Sequence, residues 1–422
     1  MGRIGYRLDQ AQTTRTEEEK TRRHSERDRQ STEVGSGLPL SPTSLFALLS
    51  RLRCEGFCDG GMSELQGTTT GAQRVADGCV RSGCPECSQK TAKPGQPMRL
   101  CEMISATGRL AVAPLVGYPG ARLTGTPLKE NLLNADSHIE SVRAIHDRWR
   151  PDLLLPMMDL AVEAGALGLP LRFPENESPT VEAHPIRSAE DMGPFQDIDI
   201  LGDARLRSFL ETVRAIARIP DVLHGAYVVG PFTLAGLLMG ASEAALATIR
   251  QPDLLHEVMT FCVQRIHPYA DACVTAGADL VVYLEPTAVL LSPDAFREFS
   301  GQYVQSLITR HEAASVLHIC GNTAPLIDAM IATGVDGLSL DACVDFARVS
   351  EVTPDDVVLI GNIDPVGTMG SSSINDVKRA VADLRATMHG HMNFVLGTGC
   401  DLPLETPIEN IDAFMRAGRE ES

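Results

Sequence analysis

The sequence predicts an α/β fold, a single TIM (β/α)8 barrel over residues 105–422, preceded by a poorly structured extension over residues 1–104. Eight short apolar runs recur from about residue 109 onward, and stretches with helical periodicity separate them. None of the runs shows the strict apolar–polar alternation of a strand with one exposed face, which is typical of parallel strands buried on both sides. Such a barrel carries its functional site at the C-terminal ends of its strands.

The predicted strands occupy, in chain order, residues 109–117, 152–159, 222–230, 279–285, 315–320, 337–341, 357–362 and 393–399. Crossover helices are predicted between them. The helix over 292–313 begins with Ser292 and Pro293, and the helices over 322–334 and 373–390 each end at a glycine. A doubly wound sheet is the alternative. It needs a glycine-rich fingerprint after the first strand, and GYPGAR does not supply one.

Residues 1–104 differ in character from the rest of the chain. The first 35 or so mix Arg, Glu, Ser and Thr without apolar periodicity, so they cannot repay the entropy of ordering. Five cysteines follow in the pattern Cys54-x3-Cys58 and Cys79-x4-Cys84-x2-Cys87, which resembles a loose zinc ribbon but lacks two regular C-x2-C pairs. These cysteines have two interpretations, metal binding and incidental thiols. Internal methionines also allow a natural start of the chain further downstream.

Composition and charge favour a soluble protein of the cytoplasm. The 422 residues are 43% hydrophobic, and 55 acidic against 37 basic side chains give a net charge of −18. Such an excess of negative charge repels phosphate backbones and anionic lipid, so neither nucleic-acid nor membrane binding is expected. The N-terminus has no apolar signal core, and the longest uncharged run, Gly225–Ala241, is too short for a membrane span. The 11 cysteines are therefore expected to be reduced.

Potential metal ligands follow three of the predicted strands. His318 and Cys320 end the fifth strand, and alternation places them on the same side. Cys400 follows the eighth strand in a glycine-flanked loop, and Asp341 ends the sixth strand. One imidazole, two thiolates and a nearby carboxylate form a ligand set typical of zinc. The alternative for each of these residues is ordinary packing in the core.

Other polar residues at strand ends have two interpretations each. Glu285 after the fourth strand lines the pocket or is satisfied by local backbone amides. Asn362 and Asp364 follow the seventh strand. They either orient the metal ligands through hydrogen bonds or build a turn. Asp159 and Glu163 after the second strand face the pocket or begin the next helix.

Seven segments spread over roughly residues 105–420 carry a family resemblance: LVGYPGARLTG, MDLAVEAGALG, VVGPFTLAGLLMG, EPTAVLLSPDAF, HICGNTAPLIDAM, GNIDPVGTM and GTGCDLPLETPIENI. They resemble the uroporphyrinogen decarboxylase superfamily and, within it, the cobalamin-dependent methylcorrinoid:coenzyme M methyltransferases. The discriminating feature is H-x-C after the fifth strand with a cysteine after the eighth, because that branch binds zinc through these residues. The resemblance implies a zinc-dependent methyltransferase, with one Zn²⁺ per chain held by His318, Cys320 and Cys400. It also implies a separate corrinoid protein as methyl donor and a small thiol such as coenzyme M as acceptor.

Two details of the resemblance limit what it implies. The family's fourth zinc position takes a carboxylate in the resting site, and Asp341 matches it, although Glu is commoner there. The decarboxylase branch holds its acidic porphyrinogen with an arginine-rich segment after the first strand, whereas GYPGARLTG contains only Arg122. A porphyrinogen decarboxylase is therefore the alternative function. A catalytically inactive paralogue is a third, and the two retained thiols at one mouth argue against it.

Overall fold

The structure is a computed structural model that describes residues 99–309 and 312–420. Parallel strands form its main sheet. The strands are, in chain order, β1 (Ala111–Val112), β2 (Leu153–Leu154), β3 (Leu171–Arg172), β4 (Thr180–Val181), β5 (Leu223–Val229), β6 (Leu280–Leu284), β7 (Ala314–Ile319), β8 (Gly337–Leu340), β9 (Val358–Ile363) and β10 (Phe394–Thr398). Eight of them form one sheet in the order β1-β10-β9-β8-β7-β6-β5-β2, and β3 pairs with β4 separately. All eight predicted strands are present, so the predicted barrel is confirmed.

The barrel closes between its two shortest strands, β1 and β2. The amide of Asp152 donates to the carbonyl of Val112 over 2.9 Å. In return, the amide of Val112 donates to the Asp152 carboxylate over 2.7 Å. Arg109 binds the same carboxylate with two hydrogen bonds of 2.8 and 2.6 Å. A side chain thus completes the ring where each strand is only two residues long.

Helices surround the strands and are, in chain order, α1 (Leu100–Ser105), α2 (Pro119–Thr124), α3 (Leu128–Leu133), α4 (Ala135–Trp149), α5 (Val162–Ala166), α6 (Ala204–Ile216), α7 (Pro231–Met239), α8 (Ala241–Arg250), α9 (Pro252–Thr275), α10 (Pro293–Phe296), α11 (Gln302–Ile308), α12 (Ile327–Ile331), α13 (Phe346–Val352), α14 (Ile374–Thr387) and α15 (Ile408–Arg419). The helix predicted over 292–313 is divided, because a π-helical turn at Arg297–Gly301 separates α10 from α11. α12 and α14 match the other two predicted helices, and Gly334 and Gly390 follow them with positive φ angles of 83° and 91°.

None of the described helices is by itself long and apolar enough to cross a membrane. α7 and α8 meet the length and composition criteria only as a pair bent by 102°. The cytoplasmic location stays a prediction. The five N-terminal cysteines and the loose zinc ribbon predicted for them lie outside the described residues.

Apolar side chains fill the inside of the barrel. On β6, Leu280, Val282 and Leu284 alternate along the strand and are at most 4% exposed. α1 closes the N-terminal end, because its Leu100 and Ile104 are 2% and 4% exposed and pack in the same interior cluster. Most of α1 lies N-terminal to the domain boundary predicted at residue 105, so this part of the predicted extension packs in the barrel core.

A chain that begins at Met98 is expected to be more stable than one that begins at Gly108, because only the longer chain contains α1. Burial of a Leu or Ile side chain contributes about 1.5–3 kcal/mol, so loss of both should lower the free energy of unfolding by roughly 3–5 kcal/mol. Urea denaturation followed by circular dichroism measures the difference. Equal midpoints for the two truncated chains would show that α1 contributes nothing to the core.

Candidate metal centre

The structure brings His318, Cys320 and Cys400 together at the C-terminal mouth of the barrel. His318 lies in β7, Cys320 directly follows that strand, and Cys400 lies just beyond β10. His318 Nε2 is 3.0 Å from Cys320 Sγ, and the two Sγ atoms are 3.2 Å apart. Cys400 Sγ is 3.7 Å from His318 Nε2. Within the described part of the chain, these three form the one group of His, Cys, Asp or Glu side chains whose ligand atoms all lie within 4.8 Å of one another.

Local backbone geometry explains how the three side chains meet. Alternation in extended β7 turns His318 and Cys320 to the same face. The chain then leaves the strand through Gly321, whose φ of 91° is unfavourable for other residues. Across the mouth, Gly399 packs so closely on the amide of Ala342 that a Cβ atom would overlap it. Glycine next to Cys400 therefore allows the β10 end to approach the β8 end.

The donor set and its spacing fit a zinc ion. Tetrahedral zinc with bonds of about 2.3 Å to sulfur and 2.0 Å to nitrogen places its ligand atoms roughly 3.5–3.8 Å apart. The distances observed among His318, Cys320 and Cys400 are 3.0, 3.2 and 3.7 Å. Shifts of roughly half an ångström would therefore seat the ion. The three residues are 1%, 3% and 5% exposed, so the cluster is also shielded from solvent.

Hydrogen bonding within the cluster favours a thiolate at Cys400. The Cys320 thiol, followed by His318, lowers the pKa of Cys400 to about 5, although burial of the thiol and the charge of Asp341 act in the opposite direction. A cysteine that is already ionised at neutral pH can bind a metal without first losing a proton. The electrostatics of the cluster therefore agree with the ligand chemistry.

Asp341, the fourth predicted ligand, lies next to the cluster but is not brought into it. Its Oδ2 accepts a hydrogen bond from the amide of Gly321 at 2.8 Å, and its Oδ1 accepts one from the amide of Cys343 at 3.2 Å. Ser339, which was not predicted from the sequence, contacts the cluster directly. Its Oγ is 2.9 Å from Nδ1 of His318, the residue opposite it in the pairing of β7 with β8. The signal in the sequence is the S-x-D spacing, which places Ser339 and Asp341 on one face.

Asn362 supports the loop behind the cluster, whereas Asp364 builds a turn. Asn362 Nδ2 donates to the carbonyls of Asp341 and Val344 over 3.1 and 2.7 Å. Asp364 Oδ1 accepts hydrogen bonds from the amides at positions 366 and 367, over 2.9 and 3.1 Å. Asn362 thus acts on the backbone next to the candidate site, and the contacts of Asp364 are those of the turn alternative.

Glu285 accepts hydrogen bonds from the first turn of a helix. It is fully buried, and its carboxylate accepts hydrogen bonds from the amides of Phe232 and Thr233 at 2.8 and 2.7 Å and from the Ser300 hydroxyl at 2.9 Å. Gly230 allows this contact, because a Cβ atom there would overlap the carboxylate. Burial raises the pKa of Glu285, and the hydrogen bonds oppose that shift. These contacts are those of the alternative in which local backbone amides satisfy Glu285, and they stabilise the first turn of α7. The pocket role of Glu285 stays a prediction.

Asp159 and Glu163 also bind neighbouring elements and do not join the cluster. Asp159 forms a buried ion pair with Arg205 and accepts a hydrogen bond from the amide of Ala161 at 2.8 Å. Glu163 Oε1 accepts a hydrogen bond from the amide of Val229 at 2.7 Å, and burial raises the pKa of Glu163 to about 8. Both carboxylates therefore fasten the loop and helix that follow β2.

One further carboxylate at the mouth was not predicted from the sequence. Asp401 directly follows Cys400, and its Oδ1 accepts a hydrogen bond from the amide of Gly117 at 3.2 Å. Burial, followed by the charge of Cys400, raises the pKa of Asp401 well above its usual range. This contact ties the loop after β1 to the loop that carries Cys400. The position of Asp401 next to a predicted ligand was the available signal.

Comparisons with known proteins agree with this fold. A family model described as uroporphyrinogen decarboxylase (URO-D) matches residues 109–421. The methylcobamide:CoM methyltransferase MtaA of Methanosarcina barkeri is 29% identical over 335 residues, covering 78% of this chain and 94% of that protein. The uroporphyrinogen decarboxylase of Paraburkholderia phytofirmans is 29% identical over 285 residues, covering 63% and 76%. A solved methyltransferase structure from Methanosarcina mazei gives a TM-score of 0.69 at 26% identity, covering 76% of this chain and 98% of that one. The chain therefore belongs to the uroporphyrinogen decarboxylase family.

Proposed function

We propose that this protein transfers a methyl group from a methylated corrinoid to a small thiol, with coenzyme M as the first acceptor to test. The observation that carries the proposal is the buried cluster of His318, Cys320 and Cys400 at the barrel mouth. Relatives named methylcobamide:CoM methyltransferases, MtaA and MtbA, support it. The acceptor, the corrinoid and the metal are all parts of this proposal.

His318, Cys320 and Cys400 would hold one zinc ion, and three protein ligands leave a position open for substrate. Zinc, when bound, lowers the pKa of a thiol so that it is a thiolate at neutral pH. The two cysteines contribute negative charge, which keeps the sulfur of the acceptor nucleophilic. Because all three side chains are at most 5% exposed, bulk water would have little access to the ion that they hold.

The overall reaction forms one bond and breaks one. The acceptor sulfur donates an electron pair to the methyl carbon and becomes a thioether. The cobalt–carbon bond breaks, and its electron pair stays on the cobalt, which is reduced from Co(III) to Co(I). We place the corrinoid on a separate protein that docks over the barrel mouth, so that methyl and thiol meet in line.

The alternative, decarboxylation of a porphyrinogen, is supported by the relatives of that name but not by the mouth of this barrel. Arg122 is the one arginine in the segment after β1 that matches the decarboxylase's arginine-rich segment. Its Nη1 donates to the carbonyl of Thr406 at 2.7 Å and to that of Leu404 at 3.4 Å. This guanidinium thus holds the loop after β10, which leaves it poorly placed to bind the acidic groups of a porphyrinogen.

Methylcobalamin should lose its methyl group when the zinc-loaded protein and coenzyme M are added together, because the acceptor is then presented as a thiolate. The absorbance change of the corrinoid and the mass of the methylated thiol measure the transfer. Homocysteine in place of coenzyme M identifies the acceptor, and protein treated with a chelator is the control.

The same preparation should release no carbon dioxide from uroporphyrinogen, because the matching arginine is engaged elsewhere. Decarboxylation by zinc-free protein, together with no methyl transfer to any thiol tested, would contradict the proposed function and favour the alternative.

A further inference from the structure

Two side chains at the end of β8 contact the segment of β7 that carries His318 and Cys320. We propose that Ser339 and Asp341 are positioning residues for this segment. Ser339 fixes the ring of His318, and Asp341 fixes the backbone that follows Cys320. The inference rests on the proposed metal centre and concerns how the chain holds its ligands in place.

Ser339 gives His318 a defined orientation. A histidine that binds a metal through Nε2 carries its proton on Nδ1, and in a buried site that proton needs an acceptor. Ser339 Oγ lies 2.9 Å from Nδ1, and both residues are at most 2% exposed. Because His318 and Ser339 face each other in the ladder between β7 and β8, a strand and not a mobile loop supplies the acceptor. Nε2 is left directed at the two sulfur atoms, at 3.0 and 3.7 Å.

Asp341 holds the backbone that follows Cys320. Its two oxygens accept hydrogen bonds from the amides of Gly321 and Cys343 at 2.8 and 3.2 Å. Asn362, in β9, binds the carbonyl of Asp341 at 3.1 Å, so the ends of three neighbouring strands are linked in sequence. A carboxylate with both oxygens on backbone amides acts as a clamp for the turn at Gly321.

The test for Ser339 compares variants that differ only in the hydroxyl group. Thr and Val have nearly the same shape, so Ser339→Thr keeps a hydroxyl acceptor that Ser339→Val lacks. Ser339→Ala removes the hydroxyl without adding any atom. Ser315→Ala is the matched control, because Ser315 is also buried in β7 but bonds Asp336 at the opposite end of the barrel. The zinc dissociation constant is measured by competition with a chromophoric chelator, and the unfolding midpoint is measured on metal-free protein.

We expect Ser339→Ala and Ser339→Val to weaken zinc binding about 10- to 100-fold, the usual effect of removing a partner of a ligating histidine. Ser339→Thr and Ser315→Ala should bind zinc like the wild type. Equal affinity in the Thr and Val variants, or an equal loss in Ser315→Ala, would overturn the role of Ser339. If the wild type itself binds no zinc, the proposed metal centre falls as well, so the two failures can be told apart.

The test for Asp341 uses Asp341→Asn and Asp341→Ala. Asparagine keeps one oxygen for the Gly321 amide but is a poor zinc ligand, whereas alanine removes the clamp. We expect the Asn variant to stay within about threefold of wild-type zinc affinity and the Ala variant to lose about tenfold or more. Wild-type zinc affinity in the Ala variant would overturn the clamp.

Discussion

Alanine in place of Cys320 or Cys400 is expected to remove nearly all bound zinc and to abolish methyl transfer to a thiol. Each variant leaves only two of the three clustered ligands, and His318→Ala should have the same effect. The expected loss is larger than for other substitutions near the mouth, because the metal itself is lost and not one step of the reaction. Zinc per chain, measured by atomic emission after gel filtration, and the absorbance of methylcobalamin check this result.

Two other cysteines provide controls for the loss of a thiol. Cys262 is fully buried in α9, and Cys343 is exposed in the loop after β8, close to the cluster. Cys262→Ala and Cys343→Ser should both keep one zinc per chain. Full zinc in both Cys320→Ala and Cys400→Ala would refute the ligand assignment and direct attention to the N-terminal cysteines.

Glu285→Ala is expected to destabilise the protein strongly while leaving the metal ligands intact. The substitution removes the acceptor of two buried amides in the first turn of α7 and of the Ser300 hydroxyl. Buried donors left without a partner cost about 1–3 kcal/mol each, so the free energy of unfolding should fall by roughly 3 kcal/mol or more. Chemical denaturation monitored by circular dichroism measures the change.

Two further variants test whether Glu285 stabilises the first turn of α7. Glu285→Gln keeps one carbonyl oxygen for the amides and should lose only about half as much stability. Glu257→Ala removes an exposed glutamate from α9 and should have no measurable effect. Unchanged stability of Glu285→Ala, combined with lost methyl transfer, would show instead that Glu285 acts in the substrate pocket.

The barrel could be predicted from the sequence because its signals are local. Each strand is an apolar run that needs no partner to be recognised, and the helices between them have ordinary caps such as Ser292 and Gly390. The missed details depend on contacts between distant residues. The π-helical turn at Arg297–Gly301 accompanies the hydrogen bond from Ser300 to Glu285, which lies on another element. Likewise, α1 has apolar residues at 100 and 104, but only the finished barrel offers them a place to pack.

In the candidate site, too, local signals could be predicted from the sequence and contacts between distant residues could not. His318 and Cys320 are two residues apart at the end of one strand, and the barrel geometry alone brings Cys400 to the same mouth, so all three could be predicted. Ser339 could not, because its contact with His318 follows from the register between β7 and β8, which a single sequence does not specify. Glu285 had two reasonable interpretations, and the amides that it binds lie more than 50 residues away in the chain.

Cys320 and Cys400 are 80 residues apart in the sequence, although their sulfur atoms are separated by 3.2 Å. An ion bound to both thiols is therefore a cross-link that closes a long loop, within which β8, β9 and β10 all lie. A cross-link around a loop of that length reduces the entropy of the unfolded chain by the equivalent of about 4–5 kcal/mol. In the proposed metal centre, zinc would therefore add to the stability of the folded chain as well as bind the substrate thiol.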